Sequence, residues 1–262
     1  MQVFFAGTRG AYPTLSPTSQ KTGGNTNCVT VSVGDDRLII DGGTGTENIS
    51  PRNTDDTIVL SHFHLDHLIG LPMFLTRKQQ GGCLIIKAVE STCASTKTIL
   101  SKIFGSEFFP VSLEVIHPTL DYHDFETQTQ IGKWSISAHP LNHPGGSFGY
   151  RINHQDSDQT FTHLLDHEHG TQIDEALMEF AHGSSLVAWD GCYESDIYAN
   201  VKGFGHSTWE EGIKFGNAIG SPVAISGHRF NRTDDECDQI EAKLSEPHLI
   251  ARDRLLVELP LR

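Results

Sequence analysis

The segment His62-Phe63-His64-Leu65-Asp66-His67 puts three imidazoles and one carboxylate into six consecutive residues. Neutral imidazole and carboxylate are the donor types that suit zinc and related divalent ions. Other candidates lie far downstream: His143 ahead of Pro144-Gly145-Gly146, Asp166, His206 in Gly205-His206-Ser207-Thr208, and His228 in Gly227-His228. Asp41 opens the turn Asp41-Gly42-Gly43. The bland alternative is a histidine cluster on a solvated loop, and the partners downstream weigh against it. A strand-like apolar stretch precedes most of these residues. Thr57–Leu60 leads into the cluster, Trp134–Ala138 precedes His143, Phe161–Leu165 precedes Asp166, Val223–Ser226 precedes His228 and Leu38–Ile40 precedes Asp41. Rigid elements that end in loops are where sites are built.

The cluster, taken with Gly7-Thr8-Arg9-Gly10, Gly23-Gly24-Asn25-Thr26, Asp41-Gly42-Gly43, His143–Tyr150, Asp166, Gly205–Thr208 and Gly227-His228 in that order, resembles the metallo-β-lactamase superfamily. The closer resemblance is to its phosphodiesterase branch, which holds tRNase Z and small cyclic-nucleotide phosphodiesterases. The resemblance implies a four-layer αββα sandwich and two divalent metal ions, zinc by donor type, with manganese or iron as alternatives. It implies that His62, His64 and His143 hold the first ion. Asp66, His67 and His228 hold the second, and Asp166 bridges them. His206 would stand over the scissile phosphate as proton donor, with Asp190 orienting it, and Asp66 would join the catalytic groups. A hydroxide shared by the two ions would attack the phosphorus in line with the leaving oxygen.

Several neighbours compete for these roles. His139 also precedes a proline and rivals His143; the Gly149-Tyr150 strand that follows favours His143. His163, His167, Glu168 and His169 flank Asp166 and read as surface or supporting residues. Asp41 reads equally as a turn residue or as the acceptor of a ligand histidine's N–H. Ser207 or Thr208 suits a helix N-cap, which is the structural alternative for the His206 loop. Arg9, Lys202, Arg229 and Ser147 are candidate phosphate contacts by position. Cys192 reads as a buried thiol rather than a nucleophile.

The elements that must position these groups read as two strand-rich halves, each followed by helices. Strands are expected at Val3–Ala6, Cys28–Val33, Arg37–Ile40, Thr57–Leu60 and Cys83–Lys87. A second set is expected near Leu113–Ile116, Trp134–Ala138, Phe148–Asn153, Thr160–Leu164, Leu186–Trp189, Val223–Ile225 and Arg254–Val257. Helical spacing marks Cys93–Phe104, Ile173–Ala181, Trp209–Ala218 and Asp234–Leu244, and Leu68–Leu75 reads as helix or turn. This is an α/β chain read as one domain over residues 1–262, with residues 105–125 the least legible stretch.

The chain has 262 residues, five scattered cysteines and a formal charge of −14. The cysteines form no C-x-x-C pair, and reduced thiols in a cytoplasmic protein are expected. No apolar run is long enough to span a membrane, and the start lacks the basic flank of a secretory signal. Strong negative charge argues against a nucleic-acid polyanion and for a small phosphodiester such as a cyclic nucleotide. So does the short stretch from His143 to Asp166, where the tRNase Z family inserts an arm that grips tRNA. A tRNase Z-like endoribonuclease, a sulfatase or lactonase of the same superfamily, and a non-catalytic metal-binding protein are the rival readings. Homodimerisation is common among the relatives.

Overall fold

The computed structural model describes residues 1–78, 83–90, 93–105, 107–172 and 174–259. The first sheet contains β1 (Gln2–Gly7), β2 (Cys28–Val33), β3 (Asp36–Ile40), β4 (Asp56–Leu60), β5 (Leu84–Val89) and β6 (Leu120–Phe125). The second contains β7 (Gln128–Ile131), β8 (Trp134–Leu141), β9 (Ser147–His154), β10 (Ser157–Leu164), β11 (Leu186–Asp190), β12 (Val223–Ser226) and β13 (Leu249–Ile250). The last strand, β14 (Leu255–Glu258), returns to pair antiparallel with β1. The strand orders are β14-β1-β2-β3-β4-β5-β6 and β13-β12-β11-β10-β9-β8-β7. In each sheet one half is antiparallel and the other parallel: β3 to β6 in the first, β10 to β13 in the second.

Alternation along the strands explains the layering, because successive side chains leave opposite faces. Leu38, Ile40 and Val59 face the second sheet, where they meet Ile136, Tyr150, Ile152 and Ala188. Ile39, Ile58 and Leu60 face the other way, under helices α1 (Leu71–Arg77), α2 (Thr96–Ile103) and α3 (Leu113–Ile116). On the second sheet Val187, Trp189 and Ile225 are covered by α4 (Glu175–Ala181), α6 (Trp209–Ile219) and α7 (Asp234–Glu241). The short α5 (Tyr198–Val201) lies in the loop between β11 and α6. A strand covered on both faces must be apolar throughout, and all five residues of β4 are buried. The result is the α/β/β/α arrangement expected from the sequence.

Two expectations change. Leu113–Ile116 is helical rather than extended: Leu113 is buried while Val115 is exposed, so one face of a single turn meets the core. The hard-to-read stretch that follows supplies β6 and leads into β7, the edge strands at one end of each sheet. Their exposed polar residues hide the strand pattern. Ile173, proposed as the start of α4, lies outside the described residues, and the helix runs from Glu175 with Asp174 as its N-cap. No described helix is long and apolar enough to cross a membrane.

Candidate metal centre and acid

The candidate residues meet because they follow the carboxyl ends of strands that point the same way. Asp41 follows β3, the histidine cluster follows β4, Asp166 follows β10, Asp190 ends β11 and His228 follows β12. Loops at the carboxyl ends of parallel strands converge over one edge of a sheet, and here two such edges face each other.

The cluster turns its donors two ways. His62 to His64 is extended, so alternate residues share a side; Leu65–His67 then forms one 3-10 turn that swings Asp66 and His67 round. The first group formed is His62, His64, His143 and Asp166, and the second is Asp66, His67 and Asp166. Asp166 Oδ2 stands 3.6 Å from His62 Nε2, 3.4 Å from His67 Nε2 and 3.4 Å from His143 Nε2. His67 Nε2 is 3.3 Å from Asp66 Oδ2, and His64 Nδ1 is 3.1 Å from His143 Nε2. One carboxylate thus lies between two donor groups.

Supporting contacts fix each ring. His67 Nδ1 donates to Asp41 Oδ2 at 2.8 Å, and Asp41 also accepts from the Ser61 amide and hydroxyl. His143 Nδ1 donates to the Gly205 carbonyl at 2.7 Å. Each such bond turns the ring's other nitrogen, Nε2, toward the pocket. Asp41 and Asp166 both sit at positive φ, +61° and +57°, a conformation that aspartate tolerates better than most residues and that recurs at functional sites. The Asp41-Gly42-Gly43 turn needs its last glycine because a Cβ there would lie 2.4 Å from the Asp66 carbonyl oxygen and 2.5 Å from that of Asn27.

Charge in the pocket is arranged for cations. Burial, and then the charge of His67, lower the His62 pKa to about 3, so its imidazole is neutral. Burial opposes charge on Asp66, yet His67 overcomes it and holds the carboxyl at about 2. Burial likewise opposes a proton on His67, but Asp66, Asp166 and Asp41 raise its pKa well above the usual value. Buried His62 Nε2 has no hydrogen-bond partner, which fits a nitrogen that waits for an ion. The neutral His62 imidazole and the ionised Asp66 carboxylate, with a proton on His67 that an arriving cation can displace, suit a divalent metal.

His206 lies beside this centre, its ring 5.2 Å from that of His143. Its Nδ1 is 2.7 Å from Asp190 Oδ2. Burial pulls the His206 pKa down, but Asp190, helped by Asp166 and Asp66, overcomes this and holds it at about 9. The helix behind it is capped by Thr208, whose hydroxyl accepts from the Glu211 amide, so capping and presentation of His206 fall to different residues.

Other sequence candidates lie elsewhere. His228 is fully buried at its strand end, but it is in neither donor group. Its Nε2 is 2.8 Å from the Ala251 carbonyl, and its Nδ1 is 3.1 Å from Arg232 Nη1. Ser147 is buried and donates to the Asp166 carbonyl, so it fixes backbone instead of offering a hydroxyl to substrate. Arg9 is fully buried and bonds the carbonyls of Gly23, Arg229 and Arg232. Arg229 is paired with Glu194 and Glu236. Lys202 borders a surface cleft with His169 and Tyr198. His139 packs against Phe180. Glu168 accepts from the amides of Gly203 and Gly205, holding the loop before His206. His163 is buried, and burial lowers its pKa to about 4. Burial pushes the Cys192 thiol well up, which makes it a poor nucleophile. Sequence reasoning missed Asn27, fully buried with its amide 3.3 Å from His67 Nε2. Its only signal is a polar residue just before a strand.

The family description "Beta-lactamase superfamily domain" matches residues 37–228. The chain belongs to this superfamily. It is 27% identical over 207 residues to a protein named ribonuclease Z from Staphylococcus carnosus, an alignment covering 76% of this chain and 64% of that protein. It is 29% identical over 129 residues to a ribonuclease BN from Cronobacter sakazakii, covering 45% of this chain and 39% of that one. The chain therefore spans less than two thirds of the length of these relatives. Among solved structures it resembles the metallo-β-lactamase-fold protein YhfI from Bacillus subtilis, with TM-score 0.71, 15% identity, and 98% and 99% of the two chains covered. A diphosphatase of the PhnP family superposes with TM-score 0.71 at 17% identity over 99% and 98%. The short form of human tRNase Z does so with TM-score 0.69 at 15% over the whole of both chains. These likenesses establish the metallo-β-lactamase fold.

Proposed function

We propose that the protein is a metal-dependent hydrolase of a small phosphodiester, with a cyclic nucleotide as the favoured substrate class. The observation that carries the reading is the His206–Asp190 pair, an imidazole held against a buried carboxylate and set beside two carboxylate–imidazole donor groups. His62, His64, His143 and Asp166 would hold one ion; Asp66, His67 and Asp166 would hold the other. Such a pair, when bound, supplies Lewis acidity toward the phosphoryl oxygens and lowers the pKa of a bound water.

The chain's own residues do the rest. Asp41 and the Gly205 carbonyl keep His67 and His143 turned toward the pocket. Asp190 keeps the proton on His206 at neutral pH, where a general acid is needed for an alkoxide leaving group. His206 gives that proton to the leaving oxygen as the P–O bond breaks.

Two features support a small substrate. The segment between His143 and Asp166 is taken up by the β9–β10 hairpin. The nearby arginines Arg9 and Arg229 are already bound within the protein. The named ribonuclease relatives favour a second reading, cleavage of a tRNA precursor. Purified, metal-analysed protein should be assayed on 3′,5′- and 2′,3′-cyclic nucleotides, bis-p-nitrophenyl phosphate, an aryl sulfate, a lactone and a tRNA precursor. Turnover of cyclic nucleotides that His206→Ala abolishes is expected. Cleavage of the tRNA precursor alone would replace the first reading with the second, and exclusive turnover of the sulfate or lactone would defeat both.

A further inference from the structure

The large aromatic side chains left exposed among the described residues are Tyr12, Phe108, Phe204 and Phe230. Three of these four adjoin residues of the candidate centre. Tyr12 follows Ala11, whose amide donates to Asp66 Oδ2 at 2.8 Å. Phe230 lies two residues beyond His228. Phe204 lies two residues before His206 and next to Gly205, whose carbonyl is 2.7 Å from His143 Nδ1. Single exposed apolar side chains are ordinary on a surface; a group of them around one site marks a place where something binds.

Phe204 is held by its backbone. It stands between Gly203 and Gly205, whose φ angles of +94° and +85° lie in the left-handed region that glycine enters freely. The amides of both glycines donate to Oε2 of the buried Glu168, at 2.7 and 2.9 Å, and the Phe204 amide bonds the Val201 carbonyl at 3.2 Å. A Cβ on Gly205 would lie 2.2 Å from Pro144 Cδ, so the loop is packed against the turn that follows His143. The Phe204 side chain is 62% exposed all the same. With three successive amides tied, the loop holds an apolar ring out in water, which is unfavourable until something covers it.

We propose that Phe204 is the base-stacking residue of the substrate site, and that what it takes is the nucleobase of the leaving nucleoside. This rests on the small-phosphodiester reading above and deepens it. In a cyclic nucleotide the oxygen that leaves phosphorus stays on the ribose that carries the base. The group that protonates this oxygen, His206, and the ring of Phe204 come from one braced loop, their Cα atoms at most about 7 Å apart along the chain. The base therefore falls on the Phe204 side of the phosphate. An aromatic ring stacks on the face of any base and reads no hydrogen-bonding edge, so the site should prefer nucleosides to base-free esters and tolerate different bases.

The test compares adenosine 3′,5′- and 2′,3′-cyclic phosphates with the same ribose cyclic phosphates carrying a methoxy group in place of the base. Steady-state kinetics are measured on metal-loaded protein, with melting and sedimentation of each variant. Phe204→Ala should raise KM for the adenosine substrate about tenfold or more while kcat stays within about threefold, and the base-free substrate should not show this rise. Phe204→Trp should keep the wild-type KM or lower it. Phe204→Leu, apolar but not aromatic, should behave like the alanine variant. An unchanged KM in Phe204→Ala, a wild-type KM in Phe204→Leu, or equal losses with and without the base would each overturn the assignment. Equal losses joined to a change of oligomeric state would give the ring to an interface between copies of the chain instead. A wild type that turns over neither adenosine compound would overturn the cyclic-nucleotide reading itself, and this assignment with it.

Discussion

Replacing Asp190 with asparagine tests the acid directly. In the folded protein His206 is held at about 9 against the model-peptide value of 6.5. At about 1.4 kcal/mol per pKa unit, that rise is worth about 3 kcal/mol in favour of the protonated ring. Asp190 works against burial, so its removal should bring the pKa to 6.5 or below. At pH 8 the protonated fraction would fall from about nine-tenths to about one-thirtieth, a loss of about 30-fold in acid catalysis. The assay is the pH profile of kcat/KM on a cyclic nucleotide, whose leaving group is a poor alkoxide. Its alkaline limb should move from near pH 9 to near or below pH 6.5. With bis-p-nitrophenyl phosphate, whose leaving phenolate needs no proton, the same variant should lose much less. An alkaline limb that stays in place with the cyclic nucleotide, or equal losses on both substrates, would refute the acid assignment.

The same pair sets a stability window. A raised histidine pKa contributes fully below the unfolded value of 6.5 and is lost as pH rises through about 9, so Asp190→Asn should narrow the stability difference from wild type in alkaline melts. Asp190 also accepts from the amides of Cys192, Ser207 and His167, so some loss should persist at every pH.

Three further outcomes follow from particular contacts. Asp41→Ala should weaken metal binding by about 10- to 100-fold, because His67 loses the acceptor that orients it. It should also lower apo-protein stability by about 2 kcal/mol through the stranded Ser61 donors, read by denaturant titration. Gly205→Ala should cost metal affinity without touching a donor. Its Cβ would lie 2.3 Å from His143 Nδ1 at a φ of +85°, and competition with a chromophoric chelator measures the loss. Stripping the metal should lower the melting temperature, since the donors follow three separate strands, β4, β8 and β10. Restoring the ion at 100 times its Kd should return about 2.7 kcal/mol, seen by calorimetry.

The sequence carried the frame of the site because strands buried on both faces leave an unbroken apolar run. Val59 and Leu60 in β4, or Ile225 in β12, are legible in that way, and each is followed by a polar residue that must sit at an edge. Ring direction is a different kind of fact. His228 lies at its strand end as expected, yet its ring contacts are to Arg232, four residues later, and to Ala251, just past β13. Asn27 has no periodic signal at all; its meaning comes from His67, forty residues away. Residues 105–125 were the least legible for a third reason. Edge strands such as β6 keep polar residues on their open side, and α3 is one turn with a single fully buried residue.

The placement of positive charge narrows what can reach the centre. Arg9 and Arg232 are both fully buried, and both spend their guanidinium groups on backbone carbonyls: Arg9 on residues 23, 229 and 232, Arg232 on 191 and 192. These bonds tie together the loops after β1, β11 and β12, which adjoin Asp190 and carry His228. Arg232 and Arg229 also share Glu194, so their charge is neutralised where it sits. In a chain of net charge −14, a long polyanion would meet net repulsion. On the proposed reading, attraction for a phosphate would come from the centre itself, through bound ions and His206, over a range of about 8 Å at physiological salt. A field that short would suit the substrate proposed above, whose charge is a single phosphodiester.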